Sequence, residues 1–286
     1  MPDYKSWVST NGDLNSAASW SPSGTPVVSD HWFFGDSSQV DVISNLSALL
    51  GGSRIWVQKT YEGNVGANGN PLVVYFNTMV HQGSGSIYLN RTAYPTSFLT
   101  VDSPNLIDAM TITAVGATVP GDEELFVLCL SGGVEFLNDF GILYGLHVGS
   151  PQATVTIGSG SGIIRHYSQN SGTVTTKRPL GGTSASPRGR ALVAGGTLTY
   201  DVSATTAWND LEITGGRVVY NGTGALSNCI VSSGILDMTE DYRAKTISFL
   251  LLYPGATFLT HPAITVTQLI DARQSPPRQF INGVEY

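Results

Sequence analysis

The sequence predicts an all-β chain: a single-chain parallel β-helix, or solenoid, with an aromatic N-terminal cap and an extended C-terminal arm. Three observations point there. Charged residues make up only 12% of the 286, about half the usual share for globular domains. Gly (33 residues), Ser, Thr and Asn fill the gap; that mix suits strands joined by tight turns better than charged surface helices. The second observation is a recurrence. "VAGGTLTYDVS" from Val193, "ITGGRVVYNGT" from Ile213, "VSSGILDMTED" from Val231 and "LYPGATFLTHP" from Leu252 each put Gly before a short alternating strand. Their glycines, Gly196, Gly216, Gly234 and Gly255, are 20, 18 and 21 residues apart. Such a period marks a solenoid, with the glycines at its corners. Third, further apolar runs ("ATVTI", "WNDLEIT", "NCIVSS", "AKTISFLLL") lie between these motifs and supply the other strands of each coil. A β-sandwich or jelly roll, the alternative, also has many short strands, but does not require the recurring glycines.

Residues 1–50 read as the cap region. A solenoid end exposes both core and sheet edge, so it needs covering. Trp7, Trp20 and Trp32, with Phe33 and Phe34, supply the large aromatics for it. Residues 51–270 read as the body. Stretches 59–71, 114–125 and 177–190 are rich in Gly, Pro or Ser and read as loop insertions. Looser repeats place corners at Gly133, Gly162 and Gly172. Alternation points Leu198, Tyr200, Val218, Tyr220, Ile235 and Phe258 inward. Residues 271–286 have lost the repeat. Pro276 and Pro277 impose an extended path, an arm leaving the body or a strand laid along it.

The opening "W(V)…NGDLNSAASWSPSGTPVVSD" resembles the "W…G.W…A.NW…..P...D" motif that precedes parallel β-helices in autotransporter-like passengers and tailed-phage virion proteins. Trp7, Asn11, Gly12, Ala18, Trp20, Pro26 and Asp30 match; Leu14 and Ser19 depart from the pattern. The match covers about thirty residues. The start "MPDYKSWVST" has neither the basic nor the apolar region of a secretory signal, and no run reaches the ~18 apolar residues of a membrane span. The resemblance therefore implies a leaderless virion component, made in the host cytoplasm, rather than a passenger.

Chemistry is sparse. The formal charge of −7 argues against a nucleic-acid partner. Cys129 and Cys229 sit in apolar stretches and read as buried free thiols. No zinc-site spacing appears, and His31, His81, His147, His166 and His261 form no close pairs, so no metal or other cofactor is expected. The carboxylate candidates for sugar cleavage are Glu135 with Asp139, Asp210 with Glu212, and Asp237 with Glu240 and Asp241 beside Tyr242. Asp237 is expected to stack on a coil neighbouring one of the other pairs. The commoner reading of such acids is a solvated outer face.

Two segments invite a protein partner. Residues 177–190 carry Lys177, Arg178, Arg188 and Arg190 on an otherwise acidic protein. The terminal arm carries Arg273, Arg278, Phe280 and Tyr286, a composition suited to docking. The expected function is a non-catalytic structural protein of a phage particle. It would be a capsid decoration or cement protein on the capsid exterior, self-associating as a trimer and binding the major capsid protein or another virion protein. The alternative is a tailspike- or fibre-type β-helix that binds or degrades polysaccharide through Asp237, Glu240 and Asp241.

Overall fold

The computed structural model describes residues 4–27, 30–44, 53–67, 70–73, 76–91, 97–104, 110–115, 125–136, 142–159, 163–181, 189–201 and 207–286. The protein is a parallel β-solenoid, with one three-residue 3-10 turn (Ala17–Ser19) and no α-helix among the described residues. Two ladders of stacked strands, here called sheet I and sheet II, are described within each of its two units. The chain divides into two compact units: residues 1–144 with 152–154, and residues 145–151 with 155–286.

In the first unit, sheet I stacks Tyr4–Trp7, His31–Phe34, Ser53–Val57, Phe76–His81, Ser97–Asp102 and the first half of Leu125–Phe136, all in parallel. Sheet II stacks Leu72–Val73, Tyr88–Arg91, Met110–Val115 and the second half of Leu125–Phe136. Strand stacking thus begins at Tyr4, inside the segment read as a cap. The three tryptophans do close the end. Trp7, Trp20 and Trp32 are 0–2% exposed, with ring centroids 5.1 Å (Trp7–Trp20) and 5.7 Å (Trp20–Trp32) apart. Trp20–Ser21 pairs antiparallel with Ser6–Trp7 and covers the first strand's edge.

The small polar residues around the tryptophans hold the turn that carries them. Ser9 Oγ accepts from the Gly12 amide (2.9 Å) and from Ser19 Oγ (3.0 Å). Trp20 Nε1 donates to the Leu14 carbonyl at 3.0 Å, and Asp30 accepts from the Val27 amide at 2.8 Å. The segment 59–71 is more than a loop: Tyr61 and Val65 are buried, and Val65 bridges Val42 and Ile87 in parallel.

In the second unit, sheet I stacks Ile163–Gln169, Arg190–Val193, Trp208–Ile213, Leu226–Val231, Lys245–Leu252 and Ile264–Asp271. Sheet II stacks Thr173–Thr176, Thr197–Tyr200, Arg217–Tyr220, Gly234–Asp237 and Ala256–Leu259. The predicted corners Gly172, Gly196, Gly216, Gly234 and Gly255 all have positive φ. In the first unit the corner is Gly132 rather than Gly133; Gly162 lies outside the described residues. At Gly196 a side chain has no room, because a Cβ would sit 2.3 Å from the Gly172 carbonyl oxygen. That oxygen accepts the ladder bond from Thr197 N at 2.9 Å.

Leu198, Tyr200, Val218 and Tyr220 point inward and are fully buried, as read. Ile235 does not: Leu236 aligns with Val218 and is buried in its place. Strand alternation starts from the corner glycine, so the inward residue is the second after it, at 198, 218 and 236. Phe258 aligns with Leu236 but stays partly exposed; among the described residues no further strand stacks on Ala256–Leu259. The C-terminal segment is laid along the body. Arg278–Ile281 pairs antiparallel with Ile264–Asp271. It then turns through Asn282–Gly283, both with positive φ, into Val284–Glu285.

Candidate docking face

A solenoid strand points alternate side chains into the core and out to the surface, and the outward set is ordinarily polar. Sheet I departs from this. In "LFVLCL" Leu125, Val127 and Cys129 point inward, yet the outward residues Phe126, Leu128 and Leu130 are apolar too. Strands apolar on both faces belong to parallel sheets covered on both faces.

In the first unit the outward residues form two columns. Tyr4, His31, Arg54, Thr78, Phe98 and Phe126 stack in register. Phe33, Trp56, Val80, Thr100 and Leu128 stack beside them. The rings touch along the face: Tyr4–His31 at 5.2 Å, Phe33–Trp56 at 5.9 Å, Phe98–Phe126 stacked at 5.2 Å and Phe126–Tyr144 at 4.9 Å. Tyr4 (64%), Phe98 (50%) and Trp56 (44%) remain exposed.

In the second unit, described by itself, sheet I turns an aliphatic column outward: Leu192, Ile230, Leu251 and Ile270, interrupted by Glu212 and flanked by Phe249. A shallow pocket of about 300 Å³ lies here between Arg190, Asp210, Glu212, Asn228 and Ile230. Its polar groups pair with one another. Arg190 pairs with Glu212, and Asn228 Nδ2 donates to Asp210 at 2.8 Å.

The carboxylate candidates are not brought together as expected. Asp237 is on sheet II, whereas Asp210 and Glu212 are on sheet I, so Asp237 stacks against Val219 and Leu259 instead. Burial pushes its carboxyl up. Hydrogen bonds from Thr239 (2.7 and 2.9 Å) and Arg217 outweigh this and hold it below the ordinary range. Arg217 also reaches Glu240 at 3.2 Å. Asp241 is clamped by Arg243 through both oxygens (2.8–3.0 Å) and approached by buried Lys245 at 3.2 Å. Against the opposing cost of burial, those bonds bring its pKa down to about 2. Tyr242 lies against the His261 ring, 5.3 Å between centroids. Glu135 is partly buried on its strand; Asp139 lies outside the described residues.

The basic segment does not present four free cations. Arg178 is 4% exposed, and its Nε donates to the Gly158 carbonyl at 2.7 Å. Lys177 and Arg190 are exposed, Arg190 being held by Glu212. Arg188 lies outside the described residues. In the terminal segment Arg273 forms a two-pronged pair with Asp271 (2.6 and 2.8 Å) and Arg278 approaches Glu285 at 3.4 Å. Phe280 is partly buried and Tyr286 is 78% exposed. Cys129 and Cys229 are buried free thiols, and burial pushes Cys129 up to about 12.

Among the described residues no group of three or more His, Cys, Asp or Glu is placed to hold a metal ion. Among the described residues no helix is long and apolar enough to cross a membrane. The sequence reading missed the outer face of sheet I. Its signal was present in "LFVLCL" and "SFLLL", where both parities are apolar. No protein family, curated protein or solved structure matches the chain.

Proposed function

We propose that this protein is a non-catalytic structural subunit of a bacteriophage particle, a capsid decoration or cement protein. It packs as a symmetric oligomer, a trimer, through the outer face of sheet I and sits on the capsid exterior against the major capsid protein. The observation that carries the reading is the apolar outer face. An aromatic column on the outer face in the first unit and an aliphatic one in the second are the kind of surface that homo-oligomer interfaces bury, and closed symmetry is the usual outcome. The opening motif's resemblance to those of virion β-helices supports the setting. The best catalytic candidates support it as well. Asp237 and Asp241 are committed to Arg217, Thr239, Arg243 and Lys245, and both carboxyls are lowered, whereas the acid of a glycosidase is raised.

The test is a pair of face variants, Phe98→Asp and Leu251→Asp, compared with Thr257→Asp on sheet II. The face variants are expected to run as monomers by light scattering, with unchanged circular dichroism, and to stop binding phage shells that lack the protein. Thr257→Asp is expected to keep the native mass. Face variants that keep the native mass would overturn the reading.

A further inference from the structure

The inward column of sheet I in the first unit holds one side chain foreign to an apolar core. Phe34, Val57, His81, Val101 and Cys129 stack in register, one per strand, and all are fully buried. Neither ring nitrogen of His81 has a hydrogen-bond partner among the described residues. Buried polar groups ordinarily have one. A bare imidazole tolerates this site while neutral, but its protonated form would be a buried charge with nothing to pair it.

Among the described residues, nothing stacked on the His81 strand supplies a counter-charge. The strands on either side, Ser53–Val57 and Ser97–Asp102, carry one charged residue each. Arg54 lies in the outward column beside Thr78, and Asp102 accepts from Ser131 Oγ at 2.9 Å. The buried hydroxyls are used elsewhere. Ser103 donates to the Gly83 carbonyl, and Tyr61 donates to the Val40 carbonyl at 2.8 Å. Burial pushes the Cys129 thiol, two strands on, up to about 12. Burial alone acts on the His81 ring, pushing it down from 6.5 to about 4.

We infer that His81 is an acid-triggered latch for the first unit: in mild acid a proton on its ring opens the coils around it while the second unit stays closed. The folded value lies below the unfolded one, so stability is lost as pH falls from 6.5 to 4. At pH 5 the proton favours the open form about thirtyfold. The second unit's histidines, His147, His166 and His261, all lie outside its buried core. Its lowered carboxyls, Asp237, Asp241 and Asp271, give up their contribution only as pH falls below 3.8. Coils of a solenoid contact only their neighbours, so one stretch opens without the rest. The latch is independent of what the outer face of sheet I binds.

Each unit carries one buried thiol, Cys129 in the first and Cys229 in the second, so the native chain reports on both at once. Native protein is treated with dithiodipyridine, which reacts with thiols in acid as well as at neutral pH, at pH 7.5 and pH 5. Peptide masses assign the labelled thiol, and each rate is divided by that of the urea-unfolded chain at the same pH. The expected result is a rise of about thirtyfold in Cys129 labelling at pH 5, with Cys229 unchanged. His81→Leu and His81→Phe should hold Cys129 labelling flat over the same range; the comparison of the two thiols in the native chain needs no variant. Equal rises at both thiols, a Cys129 rise that survives both substitutions, or no Cys129 rise at pH 5 would each overturn the latch.

Discussion

Substituting Gly196 by Ala isolates what coil stacking demands of a corner. The residue has φ of +74° and its added Cβ would lie 2.3 Å from the Gly172 oxygen. An ordinary contact begins near 3.4 Å, so the two coils must part by roughly 1 Å, which breaks the 2.9 Å bond from Thr197 N. The left-handed backbone costs an alanine about 1–2 kcal/mol, and losing the ladder bond adds about 1 kcal/mol. Gly196→Ala should therefore cost about 3 kcal/mol. Gly283 is the control: its φ is +80° with nothing within 4 Å of the added Cβ, so Gly283→Ala should cost only the backbone term, about 1–2 kcal/mol. Urea unfolding gives the losses, and hydrogen exchange at the Thr197 amide locates the first. Equal losses at the two sites would refute the stacking argument, since both share the backbone penalty and only Gly196 has a coil against it.

Other consequences follow from buried groups. His81 is fully buried with no hydrogen-bond partner for either ring nitrogen among the described residues, and burial pushes it down from 6.5 to about 4. Above pH 6.5 it is neutral folded or unfolded and has no effect. As pH falls from 6.5 to 4 only the unfolded chain takes the proton, so about 3 kcal/mol of stability should be lost across that window. His81→Leu should flatten the pH dependence of the melting temperature between pH 7 and 4.5; an unchanged slope would contradict the assignment. Trp20→Ala should cost about 3–5 kcal/mol, with exchange protection lost first in Tyr4–Phe34 and retained beyond residue 190. Asp241→Asn removes the partner of Arg243 and Lys245 and should lower the melting temperature, and no variant of Asp237 or Asp241 should change a glycan-cleavage readout relative to native protein. Glycan cleavage lost selectively in Asp241→Asn would favour the enzyme instead.

Much of the fold was legible because two constraints act on sequence directly. Corner glycines must recur where backbone meets backbone, and inward residues must alternate, so Gly196, Gly216, Leu198 and Val218 could be placed by counting. Counting failed at Ile235, where the rule of two residues past the glycine gives Leu236. It changes again at Gly255: Gly234 stacks on Ala256, so the last corner is one residue longer. The terminal hairpin carried its own signal, Asn282–Gly283 between apolar residues, masked by the prolines before it. The docking face was harder to see. Period-two alternation identifies which residues share a face but not whether the outer one meets water. The burial of Arg178 against Gly158 and the pairing of Asp237 with Arg217 join residues about twenty positions apart, which local sequence does not connect; the clamp on Asp241 is local, from Arg243 and Lys245.

The central claim is tested most directly by the mass of the purified protein in solution, alone and mixed with phage shells that lack it. The account predicts three chains per particle in solution and saturable binding to the shell at a fixed ratio to its lattice. A monomer that leaves the shells bare at every concentration would contradict it.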